Sequence, residues 1–334
     1  MGWFFGQAIN EALQNFLPEW LVAIFQGITF LGDPIVYIVI LAVGFWIYKK
    51  KEAIIAMYVL LTSVFLNFFL KTLIQKPRPT ESIRIIEEDG YSTPSGHAQN
   101  STAVYGWIML YFKKIWLYIV TPILVLLICL SRVVLGVHYI GDVIIGFLVG
   151  AVILVALYFI MPYILKWMEN WSDRRKIIVG EAYGVAVFII TFTQGLFGNW
   201  DPEHATNPVL VDNTAQIVSA LILIPVLVWV ESKFVKMKNE NIDWSSKILR
   251  VIVGLVVLIG AYFGFVLLFD LINTTGLAFM AKYSVDYLLR FIRYSILMVL
   301  AILLLPLLFT RVKFFSKEKE IVPTIKPTKE SAKT

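Results

Sequence analysis

Long apolar runs separated by short polar breaks recur along the whole chain, and they constrain its fold more than any other feature. The runs approach the roughly 20 residues that an α-helix needs to cross a hydrocarbon core about 30 Å thick. Composition agrees: 59% of the 334 residues are hydrophobic and 16% are charged, whereas soluble domains carry about 25% charged residues. The expectation is an all-α, polytopic bundle of transmembrane helices. Cys129 is the single cysteine and lies in an apolar run, so no intrachain disulfide is expected. The opening Met-Gly-Trp-Phe-Phe-Gly lacks the basic region of a cleaved signal peptide, and Gly6 argues against myristoylation.

Nine spans are expected, at residues 35–48, 53–74, 98–112, 115–130, 140–164, 177–197, 209–230, 251–269 and 287–309. Residues 1–34 read as an interfacial or re-entrant segment, anchored by Trp3 and Trp20 and divided by Pro18. Residues 35–165 form a core carrying three polar motifs, residues 166–310 add a four-span bundle, and residues 311–334 read as a disordered tail. Lys49-Lys50-Lys51, Lys113-Lys114, residues 166–176, residues 233–250 and the tail from Arg311 are basic. With nine spans all five fall on one side, which the positive-inside rule makes cytoplasmic, with the N-terminus outside. The net charge of +6 therefore reads as topology, and nucleic acid is not an expected partner. The other side holds Glu87-Glu88-Asp89, read as a solvated loop, and residues 199–204, with His204 outside the motifs.

Three polar clusters interrupt the apolar pattern on that opposite side. The first runs from Lys71 to Arg78-Pro79, the second is Pro94-Ser95-Gly96-His97, and the third is Ser131-Arg132 followed by His138 and Asp142. Each has an ordinary reading by itself: a snorkelling lysine, a helix start, a packing histidine. Together they make a chemical set. Lys71, Arg78 and Arg132 supply cations suited to a phosphate, with arginine offering a bidentate fork. Ser95 and Gly96 open a helix whose free N–H groups form an anion site, and Gly96 permits close approach of the backbone. His138 and Asp142 lie four residues apart, so on a helix they share a face. The carboxylate then fixes the tautomer and leaves the other ring nitrogen free to attack. His97 is the spare imidazole, able to protonate a leaving oxygen. The site needs no cofactor, and no metal ligation is expected of it.

The three clusters resemble the signature of the type 2 phosphatidic acid phosphatase superfamily, which includes lipid phosphate phosphatases, undecaprenyl-diphosphate phosphatases, glucose-6-phosphatases and soluble vanadium haloperoxidases. All eleven fixed positions match in order and spacing: Lys71, Arg78, Pro79, Pro94, Ser95, Gly96, His97, Ser131, Arg132, His138 and Asp142. The resemblance implies that His138 is a nucleophile forming a phosphohistidine, that Asp142 orients it, and that His97 is the general acid. It also implies that Lys71, Arg78, Ser95, Gly96 and Arg132 bind phosphate.

The expected activity is hydrolysis of a lipid phosphate or diphosphate, with polyprenyl lipids ahead of phosphatidate-type ones, on the non-cytoplasmic face. The partners are then the lipid substrate and the bilayer, with a homo-oligomer left open. Alternatives are a sugar phosphatase resembling glucose-6-phosphatase, a phosphotransferase using the same site, and a transporter with a non-catalytic site.

Overall fold

The computed structural model describes residues 3–197, 208–272 and 276–318. The acidic segment with His204, and the tail beyond residue 318, lie outside the described residues. Twelve helices follow one another among them: α1 (Ala8–Phe16), α2 (Glu19–Phe30), α3 (Pro34–Ile47), α4 (Lys50–Ile74), α5 (Gly96–Phe112) and α6 (Leu117–Val134). Then come α7 (Ile140–Met168), α8 (Asp173–Phe197), α9 (Pro208–Val230), α10 (Trp244–Asp270), α11 (Phe279–Val299) and α12 (Leu305–Arg311). A π-helical turn, Leu300–Leu304, joins the last two. The described residues are all-helical, with one isolated antiparallel bridge between Ile242 and Glu318.

Seven helices are long and apolar enough to cross a membrane, and eight if α2 and α3, bent by 46°, count as one broken span. Among the described residues the count of nine is not matched: two of the expected spans, α3 and α5, are shorter helices outside the seven. α3 has 14 residues and α5 has 17, which at 1.5 Å per residue reach about 21 and 26 Å, below the ~30 Å core. The bend has a local cause. Asp33 caps α3 by accepting from Ile35 N at 2.9 Å, and Pro34 occupies its first turn. Such a cap contributes about 1 kcal/mol and forces a new helix axis to start there.

α5 is short of apolar residues because protein surrounds it. It packs against α4, α6 and α7, and its Gln99, Asn100, Ser101 and Thr102 are all buried. These side chains bond across to α4: Ser63 Oγ donates to Asn100 Oδ1 at 2.7 Å, and Asn67 Nδ2 to Gln99 Oε1 at 3.0 Å. Facing lipid, the same groups would be unpaired at a cost of several kcal/mol each. On the other flank α7 approaches so closely that a Cβ at Gly146 would lie 2.5 Å from Ser95 O, and one at Gly150 2.4 Å from Gln99 O. This close approach sets the start of α7 beside the start of α5.

A second core joins α4 to the C-terminal helices through Trp46, Leu61, Ile217, Leu221, Ile224 and Phe309. The basic segments meet at one end of the bundle. Lys50 pairs with Glu231, Lys233 with Asp173, Asp243 N donates to Lys317 O, and Arg250 donates to Trp46 O and Phe315 O. The polar motifs lie at the other end, where α4 and α6 finish and α5 and α7 begin. The N-terminal residues pack there too: Gly141 N donates to Phe4 O, and Thr80 Oγ1 to Gln7 Oε1.

α10 lies against α3 with Gly254 under the buried Trp46 ring, where a Cβ would stand 2.3 Å from Cζ3. Gly254→Ala should therefore lower stability by about 1–3 kcal/mol, the usual cost of overpacking. Gly260, on the same helix, has open space at its Cβ. Gly260→Ala should be neutral or gain up to about 1 kcal/mol of helix propensity. Denaturation of both variants in detergent checks the pair, and equal losses would refute this packing.

Candidate active site

The site grows from four helix ends. Lys71 sits one turn before the end of α4, which stops at Gln75 in the left-handed region. Its Nζ donates to Tyr91 O at 2.7 Å. Beyond it the chain runs between Pro77 and Pro79, which disfavour helix, and Arg78 turns inward to 7% exposure. Arg78 Nε donates to Gly90 O, its Nη2 to Asp89 O at 2.9 Å, and its Nη1 to Val137 O at 2.9 Å. The same Nη1 lies 3.0 Å from His138 Nε2. Burial pulls the Arg78 guanidinium down to about 10, which still leaves it cationic at neutral pH.

His138 does not stand on a helix, contrary to the shared-face expectation. It precedes α7, whose N-cap is Tyr139, and Asp142 is the third helical residue. The two still meet: Nδ1 of His138 is 3.5 Å from Oδ2 of Asp142. Ser92 closes the gap. Its Oγ lies 3.3 Å from His138 Nδ1 and donates to Asp142 Oδ2. Thr93 Oγ1 donates to the other carboxylate oxygen, and Tyr139 N donates to Oδ2 at 2.8 Å.

The tautomer follows from these partners. Guanidinium nitrogens only donate, so Nε2 facing Arg78 must carry the lone pair, and the ring proton sits on Nδ1 toward Ser92 and Asp142. The lone pair of a neutral His138 thus points at Arg78. Burial first, then the charges of Arg78, Lys71 and Arg132, push the His138 imidazole well below its ordinary range.

Arg132 is 1% exposed at the end of α6. Nη1 donates to Thr29 Oγ1 at 2.8 Å, Nη2 donates to Glu88 Oε2, and Nε has no partner. Glu88 also faces Arg78, with Oε1 3.4 Å from Nη2. The solvated-loop expectation for residues 87–89 is therefore corrected at Glu88: the flanking Glu87 and Asp89 are exposed, but Glu88 turns in to bridge two buried arginines. Burial alone would raise its carboxyl, but Arg132 and then Arg78 outweigh that and hold it at about 2.

Ser95 caps α5 and is fully buried, with Ser95 N donating to Asp142 O. Its hydroxyl has no partner, an unusual state for a buried group and one that a bound anion would relieve. The tight neighbour of Gly96 is Asn67, whose Oδ1 would lie 3.2 Å from an added Cβ. His97 occupies the first turn of α5 beside Gly32, where an added Cβ would meet its ring at 2.7 Å. The charges acting on His97 are those of Arg132, Glu88, Lys71 and Arg78, which places it at the same cluster. Ser131 bonds only locally, its Oγ donating to Ile128 O at 2.7 Å.

The N-terminal segment supplies residues that sequence reasoning missed. Asn10, fully buried, donates to Val133 O at 2.8 Å and to His138 O at 2.9 Å. Gln14 donates to Val134 O and Ile83 O. Both brace the turn 135–137, where Gly136 has φ +71° and a Cβ would lie 2.0 Å from Ile83 O. The signal for this pair was present, as two amides four residues apart in an amphipathic segment. For Ser92 and Thr93 it was weaker, as two hydroxyls directly before Pro94.

Among the described residues no group of three His, Cys, Asp or Glu side chains is placed to hold a metal ion. The arrangement is instead a neutral imidazole nitrogen beside three cations and a helix start whose N-cap hydroxyl is unused, on a bundle whose helices are built for a bilayer. That combination defines a membrane phosphatase. Residues 52–166 match the PAP2 superfamily model, and residues 222–318 match the PAP2 superfamily phosphatase transmembrane extension. Phosphatidylglycerophosphatase B of Bacillus subtilis is 33% identical over 158 residues, covering 43% of this chain and 77% of that protein. The chain belongs to the PAP2 superfamily.

Two other relatives are more distant. Dolichyldiphosphatase of Saccharomyces cerevisiae is 30% identical over 161 residues, covering 43% of this chain and 67% of that protein. Sphingosine-1-phosphate phosphatase 1 of Rattus norvegicus is 30% identical over 178 residues, 49% of this chain but only 40% of that protein.

The depressed His138 yields a pH expectation. Below about 6.5 an unfolded histidine takes up a proton, while the buried one does not until much lower pH. The unfolded state then binds more protons, so stability falls as pH drops from 6.5 toward the folded value. His138→Gln should show a shallower loss between pH 6.5 and 5 in detergent unfolding. An unchanged slope would mean that His138 is not held neutral.

Proposed function

We propose that this chain hydrolyses lipid phosphates or diphosphates through a phosphohistidine intermediate, on the non-cytoplasmic side of its membrane. The observation that carries the reading is the pairing of His138: Nε2 lies 3.0 Å from Arg78 Nη1 while Nδ1 faces Ser92 and Asp142. A phosphate held by Lys71, Arg78, Arg132, the Ser95 hydroxyl and the first N–H groups of α5, Gly96 included, brings its phosphorus to that lone pair.

In the first step Nε2 attacks phosphorus, the bond to the leaving oxygen breaks, and His97 delivers a proton to that oxygen. Asp142 stabilises the positive charge that forms on the ring. In the second step His97 takes a proton from water, the water oxygen attacks phosphorus, and the P–N bond breaks. Each step depends on cations that neutralise the transferring group. A divalent metal is not required, since the donors around the phosphate are cationic and Asp142 is committed to hydroxyl and amide donors.

Lipid substrates are favoured by where the site lies. It lies at helix ends, and Phe16, Trp20, Leu73 and Ile74 are exposed on α1, α2 and α4, the helices that reach it, which suits a headgroup whose chains stay in the bilayer. The relatives' names point to lipid-borne phosphate and diphosphate groups. Polyprenyl lipids are placed ahead of phosphatidate types. The side assignment rests on the basic segments at the opposite end, which the positive-inside rule makes cytoplasmic.

A panel of polyprenyl diphosphate, phosphatidate, sphingoid phosphate and glucose 6-phosphate, offered to the purified protein, tests the substrate class. Lipids should lead in kcat/KM, activity should survive EDTA, and vanadate should inhibit. A lead for glucose 6-phosphate, or a magnesium requirement, would overturn this reading.

The histidines should divide the labour. His138→Ala should abolish phosphoenzyme formation. His97→Ala should slow an alkyl phosphate by 10²–10⁴-fold, the usual share of general acid catalysis, and p-nitrophenyl phosphate much less. Single-turnover kinetics on correctly folded variants measures both. Equal losses on the two substrates, with phosphoenzyme surviving in His138→Ala, would exchange the roles.

A further inference from the structure

Arg78 and Arg132 each aim one terminal nitrogen at the same carboxylate. Nη2 of Arg78 lies 3.4 Å from Oε1 of Glu88, and Nη2 of Arg132 donates to Oε2. Two oxygens of one anion gripped by two guanidinium groups is the contact that two oxygens of a phosphate would make. A carboxylate and a phosphate cannot share that place, because two desolvated anions in contact repel strongly.

We propose that Glu88 is a specificity-determining substrate mimic, which holds the phosphate position of the free enzyme and admits only an anion that carries more charge than it does. The proposal rests on the reading of Arg78 and Arg132 as phosphate ligands. Placement supports an exchange. The Glu88 side chain is 28% exposed while those of its partners are 2% and 1%, so it can move toward solvent and they cannot. It belongs to a loop tied by backbone bonds at Ile85 N to Leu135 O and at Ser92 N to Lys76 O, and both its neighbours face water. Arg132 and Arg78 keep it ionised at any working pH, so an incoming anion must compete with a full charge.

The consequence concerns discrimination inside a membrane. A phosphate monoester or a terminal diphosphate carries close to two charges near neutral pH and gains by replacing a carboxylate that carries one. A phosphodiester carries one charge and gains nothing. Most of the phosphate presented to a bilayer site is in diesters, so Glu88 keeps them out of the cradle while hydrolysable monoesters enter. After hydrolysis the returning carboxylate also helps expel orthophosphate.

The test compares inhibition constants for a short-chain phosphatidylglycerol, a diester, and for orthophosphate, using the full chain in detergent. Glu88→Gln should tighten the diester by roughly tenfold or more, the scale of one charge-assisted hydrogen bond, and orthophosphate by a similar factor, since both must displace the same carboxylate. Diester inhibition that is unchanged or weaker in Glu88→Gln overturns the proposal. Arg132→Ala separates the two readings: unchanged orthophosphate inhibition there means that the cradle assignment fails and the proposal with it, whereas weakened orthophosphate inhibition with no diester gain in Glu88→Gln overturns the role of Glu88 alone. Should Glu88→Gln fail to fold, hydrogen exchange of the wild-type chain decides. Saturating vanadate should raise exchange across residues 85–91 if Glu88 is displaced, and unchanged or slower exchange there overturns the proposal.

Discussion

Asp142 is a fully buried carboxylate that collects Ser92, Thr93 and the Tyr139 amide, while its own carbonyl accepts from Ser95. An ionised acid in a protein interior is costly unless every lone pair is used, and here the satisfied acid holds separate stretches of chain in register. The loop before α5 bonds to its side chain, the start of α5 to its carbonyl, and the turn carrying His138 hangs one residue from its helix. Distances elsewhere in the site depend on this junction. Nε2 of His138 reaches Arg78 because the ring's other nitrogen is held toward Ser92 and Asp142.

Around the junction the bilayer fold meets a contrary demand, since three cations must stand at the end of an apolar bundle. Two devices meet it. α5 is enclosed by α4, α6 and α7, so its polar face never meets lipid, and the glycines of α7 let that enclosure close tightly. The cations are then given partners: carbonyls for Lys71 and Arg78, Thr29 for Arg132, and Glu88 for both arginines. Two buried groups at the site, Ser95 Oγ and Arg132 Nε, are left without partners. A site that balances its own charge can be fully assembled before substrate arrives, which is what electrostatic preorganisation requires.

Much of this was legible in the chain. The apolar runs indicated helices throughout, and spacing picked out Arg78 and Asp142, two of the groups now found around His138. The errors are instructive. Glu88 was read as solvated because an acidic triplet usually is, and nothing local distinguishes its middle residue. Asn10 and Gln14 lie in a segment read only as interfacial, because the carbonyls they bond belong to residues 69 or more positions away.

Taken alone, the order of residues determined the helical class, the family and the set of candidate phosphate-handling groups. Those follow from hydrophobic periodicity and from chemistry that tolerates few substitutes for histidine, arginine and lysine at a phosphate. Only the tertiary structure decided which ring nitrogen of His138 carries the lone pair, which carboxylate lies against the arginines, and which helix is shielded from lipid. Each of these turns on contacts between segments far apart in the chain, set to a few tenths of an ångström by packing that no local pattern encodes.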